Sequence, residues 1–264
     1  MSGALVNGNL IHYETFGRGK QSIIFVHGWL GSWRYWVPVM ENLAGHYRTY
    51  GLDLWGFGDS ARADGQYDVS TYVDMMVAFL DALAIEKPSF VGHTLGAAIA
   101  TQLAAQHPKH VSKVLAVGLP LTADAINRKL LNVAPNDLLA RLFWNRQQPY
   151  PEVETSLPKI AKNAIALTIQ AVARLKLKDT LEEVDAPLLT VYGERDTVIA
   201  PEQADELQAN HYAARAIVLP EAYHFPMLDH TAKFTRLVRD FMDLDRPEEL
   251  QDLAIKEEWR RRTR

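Results

Sequence analysis

One short segment of the chain combines a hydroxyl side chain with two closely spaced glycines. The segment Gly92-His93-Thr94-Leu95-Gly96 follows an apolar run typical of a buried strand and precedes an alanine-rich run typical of a helix. The two glycines allow a sharp turn, because neighbouring backbones can approach them without meeting a Cβ atom. Such a turn presents one hydroxyl above the end of a sheet, where it can attack a carbonyl carbon. Serine is expected at the centre of this pattern, whereas this sequence has Thr94.

A hydroxyl needs a base and an acid that orients the base before it can attack a carbonyl at neutral pH. Two candidates follow predicted strands further along the chain. Asp196 closes the turn after an apolar run that ends at Tyr192, and His224 lies in the loop after Leu219. Asp196 and His224 are therefore the candidates for the acid and the base that a hydroxyl at Thr94 would need.

These three residues can meet if a parallel sheet brings the ends of their strands together. The rest of the chain has the sequence pattern of such a sheet. Asn7-Gly8 predicts a hairpin turn, and the continuous apolar run 22–26 predicts a buried strand. The alternation that follows predicts an α/β fold, with a mostly parallel central sheet flanked by helices. Further strands are predicted at 47–52, 89–91, 111–117, 187–192 and 214–219, and helices at 33–43, 72–83, 95–106, 201–210 and 231–244.

The alternation of strands and helices is interrupted once. Between residues 121 and 183 no strand is evident, and helix-like runs separated by prolines occur instead. We interpret this segment as a helical cap inserted after the sixth strand of a core domain formed by 1–120 and 184–245. Residues 246–264 form a charged tail, predicted to be helical and solvated because its arginines are balanced by nearby acids.

The composition excludes several kinds of site and partner. The chain of 264 residues has a net charge of −4, which argues against nucleic acid or an anionic membrane as the main partner. It has no cysteine and no histidine pair with metal-ligand spacing, so no metal or other cofactor is predicted. Neither a secretory signal nor an apolar run long enough to span a bilayer is evident. A cytoplasmic protein is therefore expected, and its oligomeric state is left open.

Five motifs resemble those of the α/β-hydrolase fold superfamily, in particular its capped, esterase-like and lipase-like members. Each motif lies at the end of a predicted strand, and together they extend over most of the chain outside the tail. The motifs are His27-Gly28-Trp29, the glycine-rich loop 53–60, the turn from Gly92 to Gly96, the turn 193–196 and His224.

The resemblance implies a role for each matching residue. Thr94 corresponds to the nucleophile, Asp196 to the triad acid and His224 to the base. The backbone N–H groups of Trp29 and Leu95 correspond to the oxyanion hole, which stabilises the charge that develops on the carbonyl oxygen. The implied activity is hydrolysis of a small ester-like substrate through an acyl-enzyme, without a cofactor.

For the other polar residues of these motifs, the sequence favours a role in shaping the turns and loops over a role in catalysis. His27 and His93 lie inside turns, and Asp53 and Asp59 are expected to accept hydrogen bonds from backbone N–H groups that fix the glycine-rich loop. Some aromatic residues are candidates for lining a substrate pocket. The candidate pocket residues are Trp33, His93, Phe143 and Trp144.

Threonine at the centre of the turn leaves three explanations open. Its β-branched side chain is unfavourable where φ is positive, and its methyl group crowds the space that a substrate carbonyl must enter. The protein is a hydrolase that uses threonine with reduced or altered activity, or a serine enzyme whose nucleophile was replaced. The third alternative is a catalytically silent protein that binds a small hydrophobic ligand or a protein partner. Dehalogenases and epoxide hydrolases of this fold are excluded, because they need a carboxylate at the position of Thr94. Lyases and cofactor-free oxygenases with a similar triad stay open, and hydrolysis of an ester by acyl transfer is the default expectation.

Overall fold

An eight-stranded sheet forms the centre of the molecule. The structure is a computed structural model that describes residues 2–63, 67–131, 150–210 and 214–253. The strands are β1 (Ser2–Val6), β2 (Asn9–Phe16), β3 (Ser22–Val26), β4 (Arg48–Leu52), β5 (Ser89–His93), β6 (Val114–Val117), β7 (Leu188–Gly193) and β8 (Ala214–Leu219). Hydrogen bonds join them in the order β1-β2-β4-β3-β5-β6-β7-β8.

The direction of the strands decides where a site can form. β1 and β2 are antiparallel to their neighbours, whereas β3 to β8 run parallel. The carboxyl ends of the parallel strands therefore meet at one edge of the sheet, where loops of open α/β sheets form binding sites. β5 lies between β3 and β6, so the turn that carries Thr94 is flanked by the loop after β3 and by Gly118 after β6.

Helices connect the strands of the sheet. Outside the segment 121–183 they are α1 (Val37–Leu43), α2 (Val69–Ala82), α3 (Leu95–Gln106), α8 (Gln203–Asn210), α9 (Pro226–Asp229) and α10 (Thr231–Met242). Helix α3 is almost entirely buried, because its small alanine side chains let it contact β5 and β6 closely. Helix α10 buries its apolar face and leaves its polar face partly exposed, as the helical spacing of its apolar residues predicts.

The segment 121–183 contains short helices. They are α4 (Arg128–Leu131), α5 (Pro151–Glu154), α6 (Ala164–Arg174) and α7 (Leu177–Thr180), and 3₁₀ turns occur at Ala123–Ala125, Leu157–Lys159 and Leu181–Glu183. Within the described part of this segment, β structure is limited to one isolated bridge, which joins Ile126 to Ile199. The division of the chain into core, cap and tail stays a prediction.

The predicted α/β class and its parallel sheet are confirmed, and most predicted elements occur. Asn7 and Gly8 have φ values of 48° and 78°, as a type I′ hairpin turn requires. The predicted helix at 33–43 is instead a 3₁₀ turn (Trp33–Trp36) followed by α1. Pro38 explains the break, because it has no N–H to continue the helical hydrogen bonds of the preceding turn.

The chain beyond α10 continues as a 3₁₀ helix, Pro247–Asp252, and the predicted helical tail from residue 254 onward lies outside the described residues. The side chain of Gln251 donates to the backbone oxygen of Ala214 at the edge strand β8. Among the helices that the structure describes, none has both the length and the hydrophobicity of a bilayer-spanning segment.

Gly96 allows the close approach of α3 to the sheet, and we expect Gly96→Ala to destabilise the fold. A Cβ atom on Gly96 would lie 2.3 Å from the backbone oxygen of Val26 and 2.8 Å from that of His27. Overpacking against rigid backbone lowers the free energy of unfolding by about 1–3 kcal/mol or more. Chemical denaturation measures this change. Gly45→Ala is the matched control, because a Cβ there meets nothing within 4 Å. Equal stability of the two variants would contradict the prediction.

Candidate active site

Thr94 occupies the sharp turn between β5 and α3. Its backbone has φ 46° and ψ −100°, a conformation that is unfavourable for a β-branched residue. Two hydrogen bonds hold the turn: the Thr94 N–H donates to Val117 O (2.8 Å), and the Ala98 N–H donates to Thr94 O (2.9 Å). Strand β6 and helix α3 thus hold the strained backbone, whose cost is roughly 1–3 kcal/mol.

The structure pairs the predicted acid with the predicted base. His224 Nδ1 lies 2.9 Å and 3.1 Å from the two carboxylate oxygens of Asp196. The N–H groups of Val198 and Ile199 also donate to Asp196 Oδ1, so the turn after β7 holds the carboxylate in place. Both side chains are buried, with exposures of 7% for His224 and 2% for Asp196. A carboxylate on Nδ1 keeps the proton there and leaves Nε2 as the basic nitrogen.

The side chain of Thr94 turns its hydroxyl away from the acid. A Cβ built on Gly28 would lie 2.2 Å from Thr94 Oγ1, whereas one built on Gly118 would lie 3.5 Å from Thr94 Cγ2 and 3.9 Å from Asp196 Oδ2. The hydroxyl therefore faces the loop after β3, and the methyl group lies on the side of Asp196. Thr94 Oγ1 is buried and has no hydrogen-bond partner among the described residues.

The loop after β3, residues 27–32, is called the oxyanion loop here. His27 Nδ1 donates to Gly28 O (2.8 Å), and His27 Nε2 accepts from the Leu54 N–H (3.0 Å), so both ring nitrogens serve the loop structure. The Trp29 N–H makes no hydrogen bond within the described residues. The Leu95 N–H belongs to the first turn of α3, where backbone N–H groups have no intrahelical partner.

His27 and His93 are buried, and both are held in the neutral form. Burial lowers the pKa of His27, although the charge of Asp53 opposes this shift. Burial also lowers the pKa of His93 well below its ordinary value, and the neighbouring His224 lowers it further. Desolvation disfavours the charged imidazolium, so neither ring takes up a proton in the folded protein near neutral pH.

We expect the free energy of unfolding to fall as the pH drops below about 6.5. Unfolded histidines bind a proton there, whereas folded His27 and His93 have depressed pKa values and do not. Each contributes a loss of up to about 1.4 kcal/mol per pH unit below that value. Denaturant titrations at pH 7.5, 6.5 and 5.5 measure the slope. His93→Gln, which does not titrate, is expected to flatten it. An unchanged slope would mean that His93 is protonated in the fold.

The glycine-rich loop 53–60 is held by a second buried carboxylate. Asp53 accepts from the N–H groups of Trp33 (2.9 Å) and Asp59 (2.9 Å), which confirms its predicted structural role. Asp59 differs from the prediction, because its carboxylate forms ion pairs with Arg34 and Lys159. Lys159 belongs to the segment 121–183, so the sequence pattern of the loop alone could not reveal this partner.

One group of side chains has the geometry of metal ligands. Ligand atoms of His12, Asp53 and Asp59 lie within 4.8 Å of one another. His12 Nδ1 is 3.1 Å from Asp53 Oδ2, and the remaining oxygens accept from the donors named above. Internal hydrogen bonds and ion pairs therefore account for this arrangement. Sequence patterns missed the His12–Asp53 pair, because its members are separated by 41 positions.

The structure describes two of the four predicted pocket residues. His93 lies beside His224, with ring centroids 4.6 Å apart. Trp33 packs against His12 (5.9 Å) and beneath the guanidinium of Arg34 (5.2 Å), and its place in the pocket stays a prediction. The other two candidates, Phe143 and Trp144, lie outside the described residues.

The segment 150–161 contacts three loops of the site, which the sequence did not predict. Ser156 Oγ lies 2.7 Å from Ser32 Oγ in the oxyanion loop, and both side chains are fully buried. Tyr150 donates to Asp229, whose other oxygen accepts from the Tyr223 N–H beside His224. The Ala161 N–H donates to Gly56 O in the glycine-rich loop. These bonds hold the segment against the loop after β3, the glycine-rich loop and the loop that carries His224.

Comparisons with known proteins agree with this fold. A family model described as the α/β hydrolase fold matches residues 21–139. The 2-hydroxymuconate semialdehyde hydrolase of Pseudomonas sp. (strain CF600) is 30% identical over 248 residues, covering 83% of this chain and 86% of that protein. The pimeloyl-[acyl-carrier protein] methyl ester esterase of Aliivibrio salmonicida (strain LFI1238) is 26% identical over 255 residues, covering 88% and 95%.

Solved structures share the fold. The enol-lactonase from Burkholderia xenovorans LB400 has a TM-score of 0.82 at 22% identity, and the match covers 92% of this chain and 100% of that one. An esterase from Exiguobacterium antarcticum has a TM-score of 0.79 at 21% identity, covering 92% and 99%. At this level of identity the likeness concerns the arrangement of strands and helices.

Proposed function

Since the chain belongs to the α/β-hydrolase superfamily, we propose that it hydrolyses carboxylic esters through an acyl-enzyme formed on Thr94. Its matched relatives are esterases and hydrolases, and this chain is accordingly a hydrolase. One observation carries the finer proposal: the buried pair of His224 and Asp196 lies at the same edge of the sheet as Thr94. A buried imidazole oriented by a carboxylate is the base that a hydroxyl nucleophile needs.

The proposed reaction runs in two halves. Thr94 Oγ1 attacks the ester carbonyl carbon while its proton passes to His224 Nε2, and the N–H groups of Trp29 and Leu95 donate to the oxyanion. The C–O bond to the alcohol breaks as His224 returns that proton to the leaving oxygen. Water then attacks the acyl-enzyme with His224 again as the base, which releases the acid and restores Thr94. This chemistry requires no cofactor.

The segment 121–183 is proposed to act as a cap that selects the substrate. Support comes from the hydrogen bonds of Ser156, Tyr150 and Ala161, because they attach the segment to three loops at the edge of the sheet where Thr94 lies. A small-molecule ester and a cytoplasmic location remain part of the proposal. The relatives' names suggest methyl esters, lactones and 2-hydroxymuconate semialdehyde as compounds for a first substrate screen.

Covalent labelling tests the proposed nucleophile. A fluorophosphonate probe reacts with an activated hydroxyl, and peptide mass spectrometry is expected to locate the probe on residue 94, both in the parent and in Thr94→Ser. His224→Ala is expected to abolish labelling, because the hydroxyl then has no base. If neither the parent nor Thr94→Ser is labelled, the ester-hydrolase proposal is wrong.

A catalytically silent binding protein is the second candidate. The hydroxyl of Thr94, which has no partner in the part of the chain that the structure describes, and the position of its methyl group favour it, because a nucleophile in use would be expected to contact its base. Native mass spectrometry of the purified protein would then reveal a bound small hydrophobic ligand or a protein partner. Binding that is unchanged in Asp196→Asn, together with no turnover of any screened ester, would favour this candidate.

A further inference from the structure

Two residues that the proposed mechanism does not use connect the oxyanion loop to the loop that carries His224. The Gly28 N–H lies 2.6 Å from Tyr35 Oη, and Tyr35 Oη lies 3.1 Å from His93 Nδ1. His93 Nε2 lies 2.9 Å from the backbone oxygen of His224. Tyr35 and His93 are fully or almost fully buried. These contacts form one continuous chain of hydrogen bonds beneath the site.

The direction of every bond in this chain is fixed by its two ends. The backbone N–H of Gly28 can only donate, and the carbonyl oxygen of His224 can only accept. His93 Nε2 must therefore carry the proton and donate to His224 O. Burial keeps the pKa of His93 well below its ordinary value, so its Nδ1 is an acceptor. The Tyr35 hydroxyl then accepts from the Gly28 N–H and donates to His93 Nδ1. None of these groups can exchange its role as donor or acceptor without breaking one of the hydrogen bonds.

We infer that Tyr35 and His93 are positioning residues that hold the oxyanion loop and the His224 backbone at a fixed separation around Thr94. This inference rests on the proposed ester hydrolysis. His93 is the residue directly before Thr94, so the chain of hydrogen bonds joins all three elements that act on the carbonyl group. Aromatic packing supports the same geometry, since the ring centroid of Phe225 lies 5.1 Å from that of His93 and 5.8 Å from that of Tyr35.

The chain of hydrogen bonds also determines which amide of the oxyanion loop can serve a substrate. The Gly28 N–H is committed to Tyr35 and is not available to a developing oxyanion. The Trp29 N–H has no partner among the described residues and stays available. Tyr35 thus has two effects. Its hydroxyl holds the oxyanion loop through the Gly28 N–H, and this bond leaves the Trp29 N–H as the donor to the oxyanion of the substrate.

The variant Tyr35→Phe tests the role of the hydroxyl group with little change in packing. We expect kcat for ester hydrolysis to fall about tenfold while KM stays within about twofold, since a small displacement of catalytic groups affects the transition state most. The measurement uses Thr94→Ser as the background, where turnover is larger. Tyr72→Phe is the matched control, because its hydroxyl makes a similarly buried bond to Trp55 O (2.8 Å) outside this chain of hydrogen bonds.

Substitutions of His93 separate the two halves of the chain of hydrogen bonds. His93→Gln can keep an N–H near the position of Nε2 for His224 O, whereas His93→Asn can keep an acceptor near the position of Nδ1 for Tyr35. Because the bond to His224 O holds the base, we expect kcat to be partly retained in His93→Gln and lower in His93→Asn. Packing alone would not distinguish the two variants in this order.

Imidazole NMR gives a readout that does not depend on turnover. In ¹⁵N-histidine protein, His93 is expected to show the Nε2–H tautomer from pH 5.5 to 8, and Tyr35→Phe is expected to shift the signals of both His93 and His224. Tyr72→Phe should leave them in place. If Tyr35→Phe matches Tyr72→Phe in kcat and in the His224 signals, the inference is overturned. If Thr94→Ser shows no hydrolysis, the proposed function fails, and the His224 signals alone decide the positioning role.

Discussion

Thr94→Ser is expected to raise the rate of ester hydrolysis by at least tenfold. The methyl group of Thr94 lies on the side of Asp196, and the hydroxyl faces Gly28 without a hydrogen-bond partner among the described residues. Serine has no methyl group, so its hydroxyl can turn toward His224 without placing Cγ2 elsewhere in the crowded turn. A displacement of about 1 Å in the attack geometry can cost about 100-fold, so a gain of tenfold or more is reasonable.

The measurement is kcat/KM for p-nitrophenyl esters of increasing acyl length. Thr94→Val is the matched control, because it keeps the branched shape and lacks the hydroxyl. We expect no turnover above background from this control, and slow turnover from the parent. A Thr94→Ser variant that is no faster than the parent across all ester lengths would contradict acyl transfer at this position.

The local parts of the fold could be predicted from the sequence, because they depend on periodicity and on turn residues. The helix after Thr94 begins and ends where the alanine-rich run does, and the Asn7-Gly8 turn has the predicted positive φ values. The sequence does not reveal the 3₁₀ turn Trp33–Trp36, because its aromatic residues have the spacing of a helix. It differs from an α-helix in hydrogen bonding rather than in the pattern of buried positions.

The candidate triad could be proposed from the sequence because each member lies in the turn or loop that follows a strand. The parallel order of β5, β7 and β8 then brings Thr94, Asp196 and His224 to one edge of the sheet. Contacts between distant side chains leave no such signal. Tyr35 and His93 are 58 positions apart, and Ser32 and Ser156 are 124 apart, so neither pair forms a local pattern. Only the three-dimensional arrangement reveals that these residues support the site.

Asp196→Asn is expected to lower kcat by about 1,000- to 10,000-fold while the fold stays intact. The N–H groups of Val198 and Ile199 both donate to Asp196 Oδ1, so the amide oxygen of asparagine will occupy that position. The amide NH₂ then replaces Oδ2, which lies 2.9 Å from His224 Nδ1. Since NH₂ can only donate, Nδ1 must become the acceptor and the ring proton moves to Nε2. The imidazole then cannot accept a proton from residue 94.

The change of tautomer makes this prediction sharper than a simple loss of activity. Imidazole NMR of Asp196→Asn is expected to show the Nε2–H form of His224, whereas the parent shows the Nδ1–H form. Asp74→Asn, at an exposed position of α2, is the control and should leave both kcat and the spectrum unchanged. Activity is measured in the Thr94→Ser background, where turnover is expected to be large enough for the loss to be quantified. If Asp196→Asn retains more than about a tenth of that activity, the orienting role of Asp196 is wrong, because a base in the wrong tautomer cannot sustain such turnover.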